Sequence, residues 1–449
     1  MATRDDVPVS YQTARMAQGW RLWYMVAVLS ATNAVAFIDR ASLPLLAQQI
    51  ERDLKITDSQ MGLLQGAAFV ITYFGLAVPA GMLIDRFPRR QAMAAAIGFW
   101  ALFTMLCGFA NSFPALFLAR LGIGTGETVS GPGSLSIIRD GVPADKRGRS
   151  IAIWAMGANI GAAFALLAGG AILLAIGDRP SVNLPLLGTM RSWQFVLICC
   201  GLLALPVAGL MFSFPEPKRT AARDARDGVA QAIRYLRSRW TVFLPLFIAN
   251  GVTIIMTVGA GLWEPLMFGR VFHLGRPEIG FTLALMMLLL AMPSQFFAGV
   301  IMDWLQRRGL ANPIPYFGVV VTVLSLGLGV GFPLAANPTV AWVLLGGYFL
   351  IATSTFTIGT ALLARLSPPS MIGKVTSLHF LWVGFCGTLV GGQLYPGVSE
   401  AFFGWAGERA IAYSLSSVIG TLDVIALLTY IVLMLTTGAE ARNAAAPQA

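Results

Sequence analysis

Charge is scarce in this 449-residue chain: Asp, Glu, Lys and Arg make up 12% of it, where a soluble globular protein carries roughly 25%. That shortfall excludes an ordinary soluble enzyme, a disordered protein and a small disulfide scaffold. Histidine occurs twice and cysteine four times. Cys107, Cys199, Cys200 and Cys386 sit in apolar runs at spacings that suit no metal site. They read as packing residues, and neither metal nor cofactor is expected. Two histidines leave too little for a metal cluster or a Ser/His/Asp set, which argues against an integral-membrane enzyme. No glycine-rich phosphate loop of the nucleotide-binding type occurs, so ATP is not expected to drive the protein. Ten-residue stretches of alternating polarity are also missing, which argues against a β-barrel. The first 20 residues are polar and lack an apolar core with a cleavage site, so no signal peptide is expected.

What is present is apolar length. Hydrophobic residues make up 56% of the chain, and mean hydropathy is +0.72. A helix crossing a ~30 Å hydrocarbon core needs about 20 mostly apolar residues. Twelve runs qualify: 22–46, 60–84, 92–110, 114–138, 150–176, 193–214, 240–268, 280–302, 313–334, 340–363, 375–398 and 410–435. With the N-terminus inside, most Lys and Arg fall in segments that become cytoplasmic. Both termini are then cytoplasmic, by the positive-inside tendency. The net charge of +10 is thereby a matter of topology, and nucleic-acid binding loses its support. The expectation is a multi-pass integral membrane protein, in the inner (plasma) membrane if the source is bacterial.

The longest loop, 215–239, is rich in Arg and Asp and reads as an interfacial amphipathic linker near anionic lipid. It divides the chain into a cytoplasmic segment 1–21, a six-helix bundle 22–214, the linker 215–239, a second six-helix bundle 240–435 and a cytoplasmic tail 436–449. The halves echo one another. Gly81-x-x-x-Asp85-x-x-x-Arg89-Arg90 follows span two, and Gly299-x-x-x-Asp303-x-x-x-Arg307-Arg308 follows span eight. Pro143 and Gly148-Arg149 precede span five, as Pro368 and Gly373-Lys374 precede span eleven. The predicted fold is therefore all-α and polytopic, with twelve transmembrane helices in two pseudo-symmetric six-helix bundles. That duplication is one of the known transporter architectures.

These residues resemble the major facilitator superfamily. GMLIDRFPRR is similar to that family's loop motif between helices two and three, with Pro88 where a glycine is usual, and GVIMDWLQRR is a degenerate second copy. RLGIGTGE, from Arg120 to Glu127, resembles its helix-four motif. Asp39-Arg40, RLGIGTGE and the following PGSLSIIRD are together similar to the Spinster family of lysolipid transporters. Bacterial sugar-acid transporters share several of these features. The resemblance implies alternating access by a secondary transporter. It also implies a conformational role for the loop motif. Asp85 would pair across the inner face, with Arg149 a candidate partner, and Arg89 and Asp303 belong to the same gating set. For Arg86, Arg89 and Arg90 taken singly, topology anchoring is the default.

Six charged residues lie within the spans: Asp39, Arg40, Arg120, Glu127, Glu264 and Asp423. Each costs roughly 2.5–3.5 kcal/mol near a bilayer centre, so it needs a partner, water or a cargo. Counting residues at 1.5 Å each puts Asp39 and Arg120 about 10 Å below the outer surface. Glu127 follows Arg120 by two turns on nearly the same face. Asp39 and Arg40 point about 100° apart and serve different partners. The expected arrangement is an Asp39–Arg120 ion pair, with Arg40 and Glu127 facing a central cavity. An anionic headgroup on Arg40 frees a carboxylate to bind a proton, which couples cargo to proton movement. Asp39, Arg120 and Glu127 are thus the proton-coupling candidates, and Arg40 and Glu127 the polar substrate-binding candidates.

The second half offers apolar surface with Phe356 and Thr357 of span ten, which suits the tail of an amphipathic anion. Glu264 is expected to snorkel at the outer interface. Asp423 has no obvious partner, and His379 is a packing residue or a secondary proton site. Pro79, Pro206, Pro265 and Pro293 are expected to kink their helices. Gly157-x-x-x-Gly161 and Gly387-x-x-x-Gly391 are expected at close helix contacts. The working expectation is a monomeric, proton-coupled carrier of a lysolipid-like amphipathic anion. A carrier of small organic anions or sugar acids comes second, and a drug exporter third.

Overall fold

A computed structural model describes residues 19–177, 181–184, 188–219, 226–310, 312–368 and 371–445. The expected segment 1–21 lies outside the described residues up to residue 18. So do 220–225 of the linker and 446–449 of the tail. The chain forms two compact units. One comprises Met1–Ile56 and Ala68–Ala222, the other Thr57–Ala67 and Arg223–Ala449. The division follows the sequence halves except at the start of span two, which groups with the second unit.

In the first unit, span one is a single helix, Trp20–Leu54, closed by Lys55 in the left-handed conformation. Span five, Ala144–Ile176, packs along it. The Gly157-x-x-x-Gly161 spacing permits this approach. A Cβ on Gly161 would stand 2.1 Å from the Ala34 carbonyl oxygen, and one on Gly157 would stand 2.3 Å from that of Ser30. Lipid provides little hydrophobic drive for helix association, so close backbone packing of small residues supplies it. Span three, Arg89–Cys107, packs against spans four and six. Span six is the helix Ser192–Leu210. It continues through Pro206.

Among the described residues, ten helices are long and apolar enough to cross a bilayer, or eleven if the bent span two counts as one. Twelve were expected. The missing one is span four, which is two consecutive helices, Phe113–Glu127 and Ser130–Gly141. Proline explains the break: Pro132 has no N–H to donate to the carbonyl of Thr128, where the first helix ends. A second departure from the all-α expectation is a small antiparallel hairpin between spans five and six. Ser181–Leu184 pairs with Gly188–Arg191 there, in the register Ser181↔Arg191.

The second unit opens with the amphipathic helix Arg226–Ser238, whose Ala232 is fully buried in the apolar core. Span seven is interrupted. Trp240–Ile254 passes into a π-helical turn, Ile255–Gly259, and restarts as Glu264–Val271. Pro265 cannot bond back to the carbonyl of Gly261, so the chain breaks there. Span eight likewise carries a π turn, Met287–Ala291, just before Pro293. Two buried tyrosines secure the span-seven turn. Tyr395 donates to the Ile255 carbonyl at 3.1 Å and Tyr348 to that of Met256 at 3.0 Å. The Ile255 carbonyl also accepts the Ala260 N–H of the π turn, so the phenols add bonds from other spans to this widened stretch of helix. Spans nine and twelve, Pro313–Gly331 and Ala410–Ala445, pack together.

Candidate functional site

Span one places Asp39 and Arg40 on different faces, because successive helical residues differ by about 100°. Both find partners on span four. Arg120 Nη1 donates to Asp39 Oδ2 at 2.7 Å. Arg40 donates from Nε to Glu127 Oε2 at 2.9 Å and from Nη2 to the same oxygen. The two pairs are not equivalent. The Asp39, Arg120 and Glu127 side chains are 4%, 3% and 1% exposed, whereas that of Arg40 is 28% exposed. The Arg40 guanidinium lies 4.0 Å from the ring centre of Phe69, 4.7 Å from that of Phe37 and 5.9 Å from that of Tyr73. An aromatic enclosure of this kind stabilises a cation while excluding much of its water. Glu127 Oε1 and Asp39 Oδ1 accept no hydrogen bond from the described residues. Three buried charges and the half-buried Arg40 thus balance, and Arg40 is the accessible cation, held by a carboxylate that uses only one of its oxygens.

A second network lies at the loop motif. Arg89 is fully buried, which corrects its default reading as a topology anchor. It bonds to Asp140, to the Ser136 hydroxyl at 3.2 Å, to Glu216 at 3.3 Å and to the Pro217 carbonyl. Its backbone N–H also donates to Glu216, at 2.7 Å. Arg219 caps the end of span two through the carbonyls of Ile84, Asp85 and Phe87. Positive charge is favourable at a helix C-terminus. Asp85, Arg149 and Asp303 are all exposed. The buried charge of this network is centred on Arg89.

In the second unit, the Thr357 hydroxyl is spent on the Gln295 carbonyl at 3.1 Å. Phe356 is 38% exposed and stacks on Phe380. Glu264 is buried, so it does not snorkel: the break in span seven turns it inward. Asp423 does have a partner, the Ser325 hydroxyl, at 3.1 and 3.2 Å. His379 is buried, with Nε2 at 2.8 Å from Asn250 Nδ2. Among the described residues, no three His, Cys, Asp or Glu side chains group to hold a metal ion.

Sequence reasoning missed the aromatic enclosure, Asp140, Glu216, Arg219 and Asn250. Phe37 was findable, since it lies one turn before Arg40 on the same helix. Asp140 and Glu216 look like ordinary charges at helix ends, and only the tertiary structure shows that they meet Arg89.

Apolar helices long enough to cross a bilayer, with charged side chains paired and buried between them, are features of a multi-pass membrane transporter. The Major Facilitator Superfamily profile matches residues 28–392, and the chain belongs to that superfamily of secondary transporters. An MFS-type efflux pump of Mycolicibacterium smegmatis is 22% identical over 415 residues, covering 91% of this chain and 92% of that protein. The hexuronate transporter of Escherichia coli K12 is 26% identical over 360 residues, covering 74% and 78%. Among solved structures, the chain is similar to a bacterial homologue of the human lysosomal transporter Spinster, in its inward-facing and unoccupied conformation. The TM-score is 0.79 at 21% identity, over 93% of this chain and 97% of that one. That likeness is one of fold.

Proposed function

We propose that this secondary transporter moves a lysolipid-like amphipathic anion by alternating access, coupled to protons. The observation that carries the proposal is the Arg40 guanidinium. It is the accessible member of four otherwise buried charges, seated against Phe37, Phe69 and Tyr73 and held by Glu127. An anionic headgroup takes over the Arg40 hydrogen bonds and releases Glu127. The released carboxylate then sits buried without a counter-charge and binds a proton. Asp39–Arg120 holds spans one and four in register while this exchange occurs. The aromatic rings around Arg40 favour a cargo with apolar surface beside its charge. Similarity to the hexuronate transporter supports a second reading, in which a sugar acid uses the same exchange.

Thermal unfolding of the purified protein in detergent separates the two. Lysophosphatidylglycerol raises the melting temperature of the wild type, and Arg40→Ala abolishes the shift. Loss of a charge-assisted hydrogen bond costs roughly 1.5–3 kcal/mol, or at least tenfold in affinity. A shift with glucuronate alone overturns the lysolipid reading. In proteoliposomes, Glu127→Gln removes the pH dependence of uptake; an unchanged dependence moves the proton site away from Glu127.

A further inference from the structure

The helix Arg226–Ser238 of the second unit has a polar face that the exchange at Arg40 does not use. Its inner face packs on the unit: Ala232 is fully buried, and Tyr235 and Leu236 lie against the same apolar core. Gln231, Arg234 and Ser238 form a separate stripe, since residues three and four apart share a helix face. With Tyr235 and Met371 they line an open groove whose empty volume is about 980 Å³. Tyr235 is fixed by its hydroxyl, which donates to the Leu366 carbonyl at 2.9 Å. Lys374 borders the groove, and its Nζ donates to Gln231 Oε1 at 2.7 Å.

The chemistry of this groove suits an anion. Arg234 is exposed in its wall. An ammonium carries three donors, so the bond to Gln231 leaves Lys374 with two more. With Oε1 taken, Gln231 offers its amide N–H groups. Among the described residues, no Asp or Glu lines the groove. Its position says which anion. Three spans end around it: span seven begins at Trp240, span ten closes at Leu366 and span eleven begins at Ile372. Span ends lie at the polar boundary of a bilayer, where lipid phosphates stand. Trp240 is 62% and Ile233 45% exposed, and tryptophan is favoured at that boundary. Exposed apolar side chains beside a basic groove fit a ligand with a charged head and acyl chains.

We propose that this groove binds the headgroup phosphate of an anionic membrane phospholipid, with Arg234 and Lys374 as its charged contacts and Gln231 as a hydrogen-bond donor. Basic side chains at a membrane surface attract anionic lipid, each adding to the affinity. A lipid held there pins the helix Arg226–Ser238 to the bilayer surface beside the start of span seven. The site belongs wholly to the second unit, and it stands whichever anion occupies Arg40.

The test is native mass spectrometry of the full chain in dodecyl maltoside, titrated with dioleoylphosphatidylglycerol, dioleoylphosphatidylcholine or inorganic phosphate. The wild type is expected to retain phosphatidylglycerol in preference to the other two. Arg234→Gln and Lys374→Gln are each expected to weaken its retention about fivefold, and the two together about 25-fold, the worth of one and of two basic residues at an anionic surface. Arg234→Lys, which keeps the charge, is expected to stay within about twofold and controls for misfolding. Arg307→Gln removes an exposed arginine at the end of span eight that does not line the groove, and it is expected to change nothing. A loss in Arg307→Gln equal to that in Arg234→Gln marks diffuse attraction and overturns the groove. A loss in Arg40→Ala places the lipid at the cargo site and overturns the groove as well. Equal retention of phosphatidylcholine, or inorganic phosphate bound as tightly as phosphatidylglycerol, overturns the lipid assignment. An unchanged affinity in the double variant refutes the proposal outright.

Discussion

Replacing Arg120 by Met tests whether the Asp39–Arg120 pair locks span one to span four. Asp39 is 3% and Arg120 2% exposed, and they share a 2.7 Å hydrogen bond. Asp39 Oδ1 has no partner among the described residues, so the guanidinium is the main compensation for its charge. Removing one member of a buried pair costs roughly 3–5 kcal/mol, because the other charge is left uncompensated. Removing both is far cheaper, since two apolar or neutral groups need no counter-charge. Arg120→Met is therefore expected to lower stability by roughly 3–5 kcal/mol, and Asp39→Asn/Arg120→Met to recover more than half of that loss. The assay is equilibrium unfolding in mixed detergent, followed by tryptophan fluorescence, with melting temperatures as the second readout. A double variant as unstable as Arg120→Met, with a coupling below about 0.5 kcal/mol, refutes the buried-pair reasoning.

Gly161→Val drives a side chain into the Ala34 carbonyl and is expected to cost roughly 1–3 kcal/mol or more, seen as a lower melting temperature and yield. Arg89→Lys keeps the charge but cannot reach Asp140, Glu216 and Ser136 together. A loss of roughly 1.5–3 kcal/mol is expected in the same unfolding assay. Tyr348→Phe and Tyr395→Phe each remove a bond to the span-seven π turn. Each is expected to cost about 1 kcal/mol and to speed hydrogen exchange across residues 255–260.

The pairing of Asp39 with Arg120 is legible ahead of the structure because the surrounding sequence is so apolar; for Arg40 and Glu127 the sequence points to a central cavity, not to the bond that the structure shows between them. A charge in a run such as 22–46 stands out, and helical geometry then leaves few partners at its depth. The same method missed the Arg89 network. Asp140 and Glu216 lie near helix ends where charge is ordinary, and nothing local marks them as buried. Glu264 failed differently. Its interfacial reading assumed a continuous span seven, and the break before Pro265 turns the carboxyl into the protein. Asp423 lacked a visible partner because Ser325, on span nine, is a neutral residue and carries no charge signal.

Composition and the apolar runs alone determined that this is a multi-helix membrane protein with few intramembrane charges, and the repeated loop motifs pointed to two related halves. They suffice because the bilayer imposes its requirement residue by residue: apolar length, internal backbone bonding and compensated charge. The tertiary structure decided how many spans are unbroken, that the start of span two groups with the second unit, and which groups surround each charge. It also decided that Arg40 is enclosed by aromatic rings, that Arg89 is buried, and that His379 meets Asn250. Those outcomes depend on which helix faces meet and where prolines interrupt hydrogen bonding. A partner supplied from another span leaves no local mark on the sequence that needs it.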